Sequence, residues 1–125
     1  MRNQNTTEKD VSLGHVVKVQ QVIDFMVLAE LQKGRRYGKQ MDQAIIHALD
    51  GVGVNDGYLS TRLRKLSSLG HVSDYWDSDQ RYFRYYEITE SGLEYFQQLL
   101  RDLPERVDLA LKVYLKFQSI ILKYE

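Results

Sequence analysis

The chain has 125 residues and no cysteine, and its 17 basic residues balance its 17 acidic residues. This length fits one domain with a modest core, the lack of cysteine excludes disulfides and thiolate sites, and the neutral charge leaves any nucleic-acid partner dependent on local charge. Because no apolar run approaches the ~20 residues that span a bilayer and the N-terminus lacks a signal peptide's apolar core, we expect a cytoplasmic protein without a membrane partner.

A polar arm and two helices are predicted at the start of the chain. Residues 1–14 carry no apolar pattern and predict a flexible arm. From Val16 to Leu31 the apolar residues recur at the three-and-four spacing of an amphipathic helix, which Gly34 ends. The apolar stripe from Met41 to Leu49 predicts a second, shorter helix.

A third helix and a β-hairpin are predicted next. The turn-rich stretch DGVGVNDG offers Asn55 or Asp56 as the cap of the third helix, and Gly70 ends that helix. The stretches VSDYWD and RYFRYYEIT are rich in aromatic residues that favour strands, and the turn residues DSDQ lie between them. The order predicts a hairpin directly after the third helix.

Two more helices are expected at the C-terminus. Thr89 begins one helix, which Pro104 interrupts, and Pro104 suits the first turn of a last helix that runs to Tyr124. The last helix is apolar over most of its circumference, so it needs two surfaces to bury against. One can be its own domain, and the other is most simply a second copy of the chain. The predicted dimer interface comprises Val107, Leu111, Tyr114, Phe117, Ile121 and Tyr124. The alternative is a monomer with this helix at the centre of the core.

The third helix has one apolar edge and one polar edge. At ~100° per residue, Leu59, Leu63 and Leu66 fall within a narrow arc, and the opposite edge carries hydroxyl groups and long cations. Arg and Lys suit guanine edges or phosphates, and Ser and Thr suit either, so this is the composition of a recognition helix. An ordinary solvated helix face is the alternative. The predicted base-contacting residues are Tyr58, Ser60, Thr61, Arg64 and Lys65.

Local charge supports a DNA-binding interpretation of the same region. Residues 33–84 hold nine basic and six acidic residues, a local excess of three positive charges. A hairpin after the third helix is the wing of a winged helix-turn-helix, and its cations could grip a phosphate backbone. The acidic residues of the hairpin would repel phosphate if they faced the same side. The predicted phosphate contacts are Arg35, Arg36, Lys39, Asn55, Arg62, Ser68, Gln80, Arg81 and Arg84.

Three stretches of the chain resemble the PadR-type transcriptional regulators. They are FMVLAELQKGRRYGKQM, VNDGYLSTRLRKLSSLGHV and RYFRYYEITESGLEYF, which together extend over roughly residues 22–98. The resemblance implies a winged-helix domain, a homodimer formed through the C-terminal helix, and a pseudo-palindromic operator. The chain differs from the family's usual tyrosine and proline at Ser60 and Thr61, and its wing is less basic.

The resulting prediction is a mainly α fold with a β-hairpin wing. Residues 15–103 would form the winged helix-turn-helix domain and residues 104–125 the C-terminal dimerisation helix. The predicted function is sequence-specific binding of double-stranded DNA, as a repressor. A replication-terminator or plasmid-partition role is a close alternative, since such proteins also bind a DNA site and only the consequence of binding differs. An alternative of another class is a protein-interaction module that kept the fold without DNA binding, which the acidic wing and neutral charge favour.

Catalysis, metal binding and cofactors find little support in the sequence. His15, His47 and His71 stand alone, with no acid or nucleophile arranged around them. No two candidate ligands have a spacing such as His-x-x-x-His, and the aspartates of the hairpin lack the glycine and distal glutamate of a calcium loop. We expect neither an enzyme nor a bound cofactor.

The aromatic residues of the hairpin have three interpretations. They can pack under the wing as ordinary core. They can line a cavity at the dimer interface that takes a flat aromatic effector, as the family resemblance would permit. They can also form a stacking platform for single-stranded nucleic acid, although such platforms usually have a more basic sheet.

Overall fold

The computed structural model of the chain describes residues 11–79 and 81–125. A short 3-10 turn, Leu13–His15, precedes four helices and three strands. In chain order these are α1 (Val19–Leu31), β1 (Arg36–Tyr37), α2 (Gly38–Ala48), α3 (Asp56–Ser68), β2 (Val72–Trp76), β3 (Arg84–Ile88) and α4 (Glu90–Leu122). The mainly helical fold with a hairpin wing is confirmed.

The chain divides into two compact units. One is Val19–Arg101, which contains α1 to α3, the sheet and the start of α4. The other joins Asp102–Glu125 to the described part of the segment before Val19. Of the predicted flexible arm, residues 1–10 lie outside the described residues, and the part that is described includes the 3-10 turn.

The core of the first unit lies between the first three helices and the sheet. The leucine stripe of α3 is buried, as its spacing predicted, and it packs with the apolar faces of α1 and α2. The three-and-four spacing of apolar residues on each helix therefore determines which faces of the helices pack together. The buried cluster consists of Ile23, Val27, Leu28, Leu31, Met41, Ile45, Leu59, Leu63, Leu66, Val72 and Tyr86.

Both ends of α3 are closed by local hydrogen bonds. The Asn55 side-chain oxygen accepts from the Gly57 amide at 2.9 Å, so Asn55 is the cap. At the other end Gly70 has a φ of 79°, a left-handed conformation that glycine adopts readily. This turn lets the His71 amide donate to the Leu66 carbonyl at 2.9 Å, and the chain then enters β2.

The sheet has three antiparallel strands in the order β1, β3, β2. The predicted hairpin pairs Val72 with Ile88 at its base and Trp76 with Arg84 near its tip. The two-residue strand β1, which pairs with Tyr85 and Tyr86 of β3, was not predicted. Two residues are too few to show the alternation by which strands are recognised in a sequence.

The aromatic residues of the hairpin are only partly core. Tyr86 is buried against the helices, whereas Tyr75, Trp76, Tyr82 and Phe83 are exposed. The expectation that alternate aromatics pack under the wing therefore holds for Tyr86 but not for those four.

The predicted break at Pro104 is wrong, because α4 runs from Glu90 to Leu122 with Pro104 inside it. Its start is as predicted: Thr89 Oγ1 accepts from the Gly92 amide at 3.1 Å. An interior proline removes one backbone hydrogen bond and costs about 3 kcal/mol. The helix nevertheless continues through Pro104 to Leu122, and Leu99 and Leu103, which both precede the proline, are buried.

Candidate nucleic-acid interface

The exposed edge of α3 is the centre of the candidate interface. Its three leucines are buried, and because a helix turns ~100° per residue, most of the side chains between them point outward. All five residues predicted to contact bases are exposed on this helix: Tyr58, Ser60, Thr61, Arg64 and Lys65.

Two of these side chains are held along the helix surface. Thr61 Oγ1 donates to the Gly57 carbonyl at 2.8 Å, and Arg64 Nη2 donates to Thr61 Oγ1 at 3.4 Å. The long Arg64–Thr61 contact is weak and exposed, so Arg64 can exchange it for a partner outside the protein. The edge therefore presents donors and acceptors that are only lightly engaged.

A groove runs between the first turns of α2 and α3. Lys39 and Ser60, which are predicted contacts for phosphate and base, lie on opposite walls. The N-terminal residues of a recognition helix are the ones that usually reach base edges. The groove is lined by Gly38, Lys39, Asp42, Asp56, Leu59, Ser60 and Leu63.

Arg62 does not belong to this exposed edge, and the prediction that it contacts phosphate is corrected. Its Nε and Nη2 donate to the two carboxylate oxygens of Asp24 at 2.9 and 2.7 Å, and its side chain is only 14% exposed. The hydrogen bonds to Asp24 raise the pKa of the Arg62 guanidinium. Arg62 follows Leu59 by three residues and precedes Leu66 by four, so the helix turns it toward the core.

Asp24 is the buried centre of this contact. Its side chain is 0% exposed, and it also accepts a hydrogen bond from the Tyr95 hydroxyl of α4 at 2.7 Å. Burial, together with this bond, raises the pKa of Tyr95 above its ordinary value. The sequence analysis missed both residues. The available signal was the carboxylate of Asp24 between the apolar residues Ile23 and Phe25, which requires a partner if it is buried.

Among the acidic residues of the wing, Asp74 bears most directly on whether the wing would repel phosphate. It accepts hydrogen bonds from Ser67 of α3 and from Arg84 of β3, with which it forms an ion pair. The hydrogen bond from Ser67, followed by those from Arg84, lowers the pKa of Asp74. Its charge is therefore largely offset within the protein, and it ties the wing to α3.

The wing cations differ in their freedom. Arg84 lies 5.6 Å from the centre of the Trp76 ring and is 44% exposed despite its ion pair. Arg81 is exposed at the hairpin tip, where its φ is 58°. Gln80, another predicted phosphate contact, lies outside the described residues.

Arg35 lies on the other face of the sheet from α3. Its guanidinium is 4.2 Å from the centre of the Tyr85 ring, and its Nη1 donates to the Tyr75 hydroxyl at 3.0 Å. Successive strand residues alternate between faces, and the neighbouring Asp74 and Tyr86 face α3 and the core. Its phosphate contact stays a prediction, and such a contact would lie on the face of the sheet away from α3.

The remaining predicted phosphate contacts are distributed around α3. Arg36 is half-buried and donates from Nε to Glu30 Oε1 at 3.3 Å, which occupies part of its fork. Lys39, Asn55 and Ser68 are exposed. Asn55 uses its side-chain oxygen in the helix cap, so its amide nitrogen is the group left to face a phosphate.

The C-terminal half of α4 presents apolar side chains to solvent. The exposed fraction is 59% for Leu111 and 87% for Tyr124, which follows the end of the helix at Leu122. Single exposed apolar residues are ordinary, but a contiguous set along one helix marks an interaction surface. All six predicted interface residues are exposed: Val107, Leu111, Tyr114, Phe117, Ile121 and Tyr124.

Within residues 11–79 and 81–125, no three His, Asp or Glu side chains are grouped so that they could hold a metal ion. Across the described part of the chain, no helix combines the length and apolar character needed to cross a membrane.

Comparison with known proteins places the chain in context. Residues 27–98 match the transcriptional regulator PadR-like family. A transcriptional regulator from Clostridium thermocellum is 26% identical, with a TM-score of 0.63 over 79% of this chain and 92% of that chain. None of the curated proteins matches the sequence significantly.

Two further solved structures support the fold alone. A PadR family transcriptional regulator from Eggerthella lenta DSM 2243 is 20% identical, with a TM-score of 0.55 over 90% of this chain and 92% of that chain. The transcriptional regulator BldR from Sulfolobus solfataricus is also 20% identical, with a TM-score of 0.58 over 90% of this chain and 80% of that chain.

Proposed function

The chain belongs to the PadR-like family of transcriptional regulators, and we propose that it is a cytoplasmic homodimeric repressor that reads a pseudo-palindromic operator with α3. Members of this family bind DNA and regulate transcription. Family membership therefore confirms the expectation that the chain is not an enzyme. The proposal concerns which residues meet the DNA, how many copies act together, and what binding achieves.

The observation that carries the proposal is the division of α3 into a buried leucine edge and an exposed polar edge. The buried edge fixes the helix to the domain, so the exposed edge can enter a major groove without unfolding anything. Arg64 and Lys65 then donate to guanine edges, and Thr61 and Ser60 can donate or accept. Tyr58 supplies a planar group at the N-terminal end of the same edge.

The proposed phosphate contacts come from groups that surround the base-contacting residues of α3. Lys39 lies across the groove from Ser60, and Arg81 is exposed at the tip of the wing. Ser68, the free amide of Asn55 and part of Arg84 complete the set. Such contacts fix the register of a protein on the duplex but carry no sequence information.

A second copy of the chain is the proposed cover for the apolar surface of α4. Aligned copies of this helix would bury the exposed residues from Val107 to Tyr124 against each other. A two-fold dimer presents two recognition helices about 34 Å apart, the distance of one DNA turn. Repression follows if the operator overlaps a promoter. An aromatic effector at the dimer interface stays a prediction.

The interaction-module alternative loses part of its support. The acidic wing favoured it, but Asp74 is paired with Arg84 and bonded to Ser67. Asp77 accepts from the Phe83 amide at 3.2 Å within the hairpin. The charge of Asp74 is therefore offset by Arg84, so the wing presents less negative charge to a phosphate backbone than its number of aspartates suggests.

The test is selection of genomic fragments by the purified protein, followed by sequencing. The proposal expects a palindromic site beside a promoter, with half-sites one helical turn apart. Failure to bind any duplex at low salt would reject it. A selected site near a replication origin would instead support the terminator or partition role.

A further inference from the structure

Arg62 is a residue of the recognition helix whose guanidinium points into the protein. It donates two hydrogen bonds to Asp24 of α1, and the Tyr95 hydroxyl of α4 donates a third to the same carboxylate. Three helices therefore meet at one buried carboxylate. Within the described residues, every buried side-chain nitrogen and oxygen atom has a hydrogen-bond partner.

This arrangement is not needed merely to hold the helices together. Replacing a buried ion pair by apolar residues of similar volume is often neutral or stabilising, because burying two charges costs about as much as their attraction returns. What the pair supplies is a fixed relative orientation of the two helices that carry it. A guanidinium fork and a carboxylate bind in one plane with two parallel bonds, whereas leucines in a core can slide past one another.

Arg62 is adjacent on α3 to residues of the DNA-facing edge, so its contact with Asp24 also affects their orientation. Tyr58 precedes Arg62 by four residues and Lys65 follows it by three, so both are its neighbours on the helix surface. A rotation of α3 about its axis would move both side chains across the groove. The bonds to Asp24 oppose that rotation.

We propose that Asp24, Arg62 and Tyr95 form a positioning network that fixes the rotation of α3 and thereby sets sequence discrimination. The inference rests on the proposed function, because it requires α3 to read bases. None of the three residues touches DNA in this account. They act through Tyr58, Lys65 and the rest of the exposed edge.

The network and the phosphate contacts make separable contributions. Lys39 and Arg81 lie on α2 and on the hairpin tip, and neither has a hydrogen bond with the network. Affinity for random duplex depends on such cations and not on base edges. Loss of the network should therefore reduce discrimination and leave non-specific binding unchanged.

The test uses the full-length triple variant Asp24→Leu, Arg62→Met, Tyr95→Phe. All three polar partners are removed together, so no charge or hydroxyl is left buried without a partner. Wild-type protein first selects a duplex from a randomised pool. Dissociation constants are then measured for that duplex and for a scrambled duplex of the same composition, over a range of salt concentrations.

We expect the ratio of the two dissociation constants to fall at least about tenfold in the triple variant, which is the loss of one good base contact. Binding to the scrambled duplex and its salt dependence should stay within about twofold of wild type, since the phosphate contacts are intact. A folded triple variant with the wild-type ratio would overturn the proposal.

Two further variants keep the test decisive. Arg62→Lys retains the charge but cannot hold two oxygens in a plane, so it should lose discrimination as well, and a wild-type ratio in this variant would reject the geometric explanation. Tyr95→Phe removes one bond only and serves if the triple variant does not fold. It should lower the ratio by about half the triple effect on a logarithmic scale, and an unchanged ratio would also reject the proposal.

The matched control is the charge-neutral double variant Asp108→Asn, Lys112→Gln, which changes two exposed side chains of α4. It should leave every measured value as in wild type. Failure of the network is distinguishable from failure of the proposed function. A wild-type protein that selects no sequence contradicts base reading itself, whereas selection that survives in the triple variant contradicts the positioning network alone.

Discussion

Arg62 and Asp24 face each other through two hydrogen bonds of 2.9 and 2.7 Å inside the domain, although Arg62 belongs to the helix that faces outward. The recognition helix is therefore fixed by a directional contact as well as by its leucines. The same helix presents Arg64 two residues later to solvent. Of these two arginines on one turn, Arg62 is largely buried and Arg64 is exposed. Their substitution is therefore expected to have different effects.

Removing Asp24 alone should destabilise the fold strongly. Asp24→Ala leaves the Arg62 charge and the Tyr95 hydroxyl buried without a partner, at a cost of about 3–5 kcal/mol. The triple variant Asp24→Leu, Arg62→Met, Tyr95→Phe should stay within about 1 kcal/mol of wild type, because the charge and the hydroxyl are removed together with their partner. Urea unfolding followed by circular dichroism measures both. A loss below 1 kcal/mol in Asp24→Ala would contradict the account.

Stability should decline in alkali because of Tyr95. Its pKa in the folded protein is raised above the ordinary value of 10.0, first by burial and then by the bond to Asp24. Above pH 10 the unfolded chain has released this proton while the folded chain keeps it, so the free energy of unfolding falls by at most about 1.4 kcal/mol per pH unit. Tyr95→Phe should flatten the decline between pH 9 and 11. An unchanged slope would show that Tyr95 does not contribute.

The wing should respond to loss of Asp74 in two opposite ways. Asp74→Ala removes the acceptor for Ser67 and Arg84, which we expect to cost about 1–2 kcal/mol of stability. It also frees Arg84 for phosphate, so random-duplex binding should strengthen and the salt slope steepen by about one. Asp108→Asn, which removes one negative charge from α4, is the matched control. Weaker binding by Asp74→Ala would contradict this role.

Arg64 and Lys39 should differ in the kind of binding they support. Arg64→Ala should weaken binding to the selected duplex by about 1–3 kcal/mol and change random-duplex binding far less. Lys39→Ala should weaken both alike and reduce the salt slope by about one. Fluorescence anisotropy titrations at several salt concentrations separate these patterns. Equal behaviour of the two variants would reject the assignment of base and phosphate contacts.

The apolar surface of α4 should control assembly. Leu111→Glu places a charge among the exposed apolar residues, so we expect sedimentation to show a monomer with the fold of Val19–Arg101 intact. Lys112→Glu on the next position is the control and should remain a dimer. The monomer should lose at least about 100-fold in affinity for the full palindrome, because the two half-sites no longer bind together. A dimeric Leu111→Glu protein would contradict the proposed interface.

The fold was largely predictable from local pattern. The leucine spacing of α3, the cap at Asn55 and the aromatic hairpin each determine an element within a few residues of sequence. Strand β1 and the continuity of α4 through Pro104 were not, because two residues carry no periodicity and a proline's local preference is overridden by a long helix.

The exposure of the polar edge of α3 was predictable from the sequence, but the long-range partners of two arginines were not. A positive charge on a helix suggests phosphate until its partner is known, and the partner of Arg62 lies 38 residues earlier in the chain. The same limit applies to Arg35, whose contact with Tyr75 spans 40 residues. Pairings at that separation depend on the tertiary fold, so composition and helical spacing cannot assign them.

The central claim is that the exposed edge of α3 enters the major groove, and methylation protection on the selected duplex tests it most directly. Dimethyl sulfate methylates guanine N7 in the major groove and adenine N3 in the minor groove. We predict protection of guanine N7 in two patches about 10–10.5 base pairs apart, with loss of protection in Arg64→Ala. Unprotected guanines, or protection confined to adenine N3, would contradict the claim.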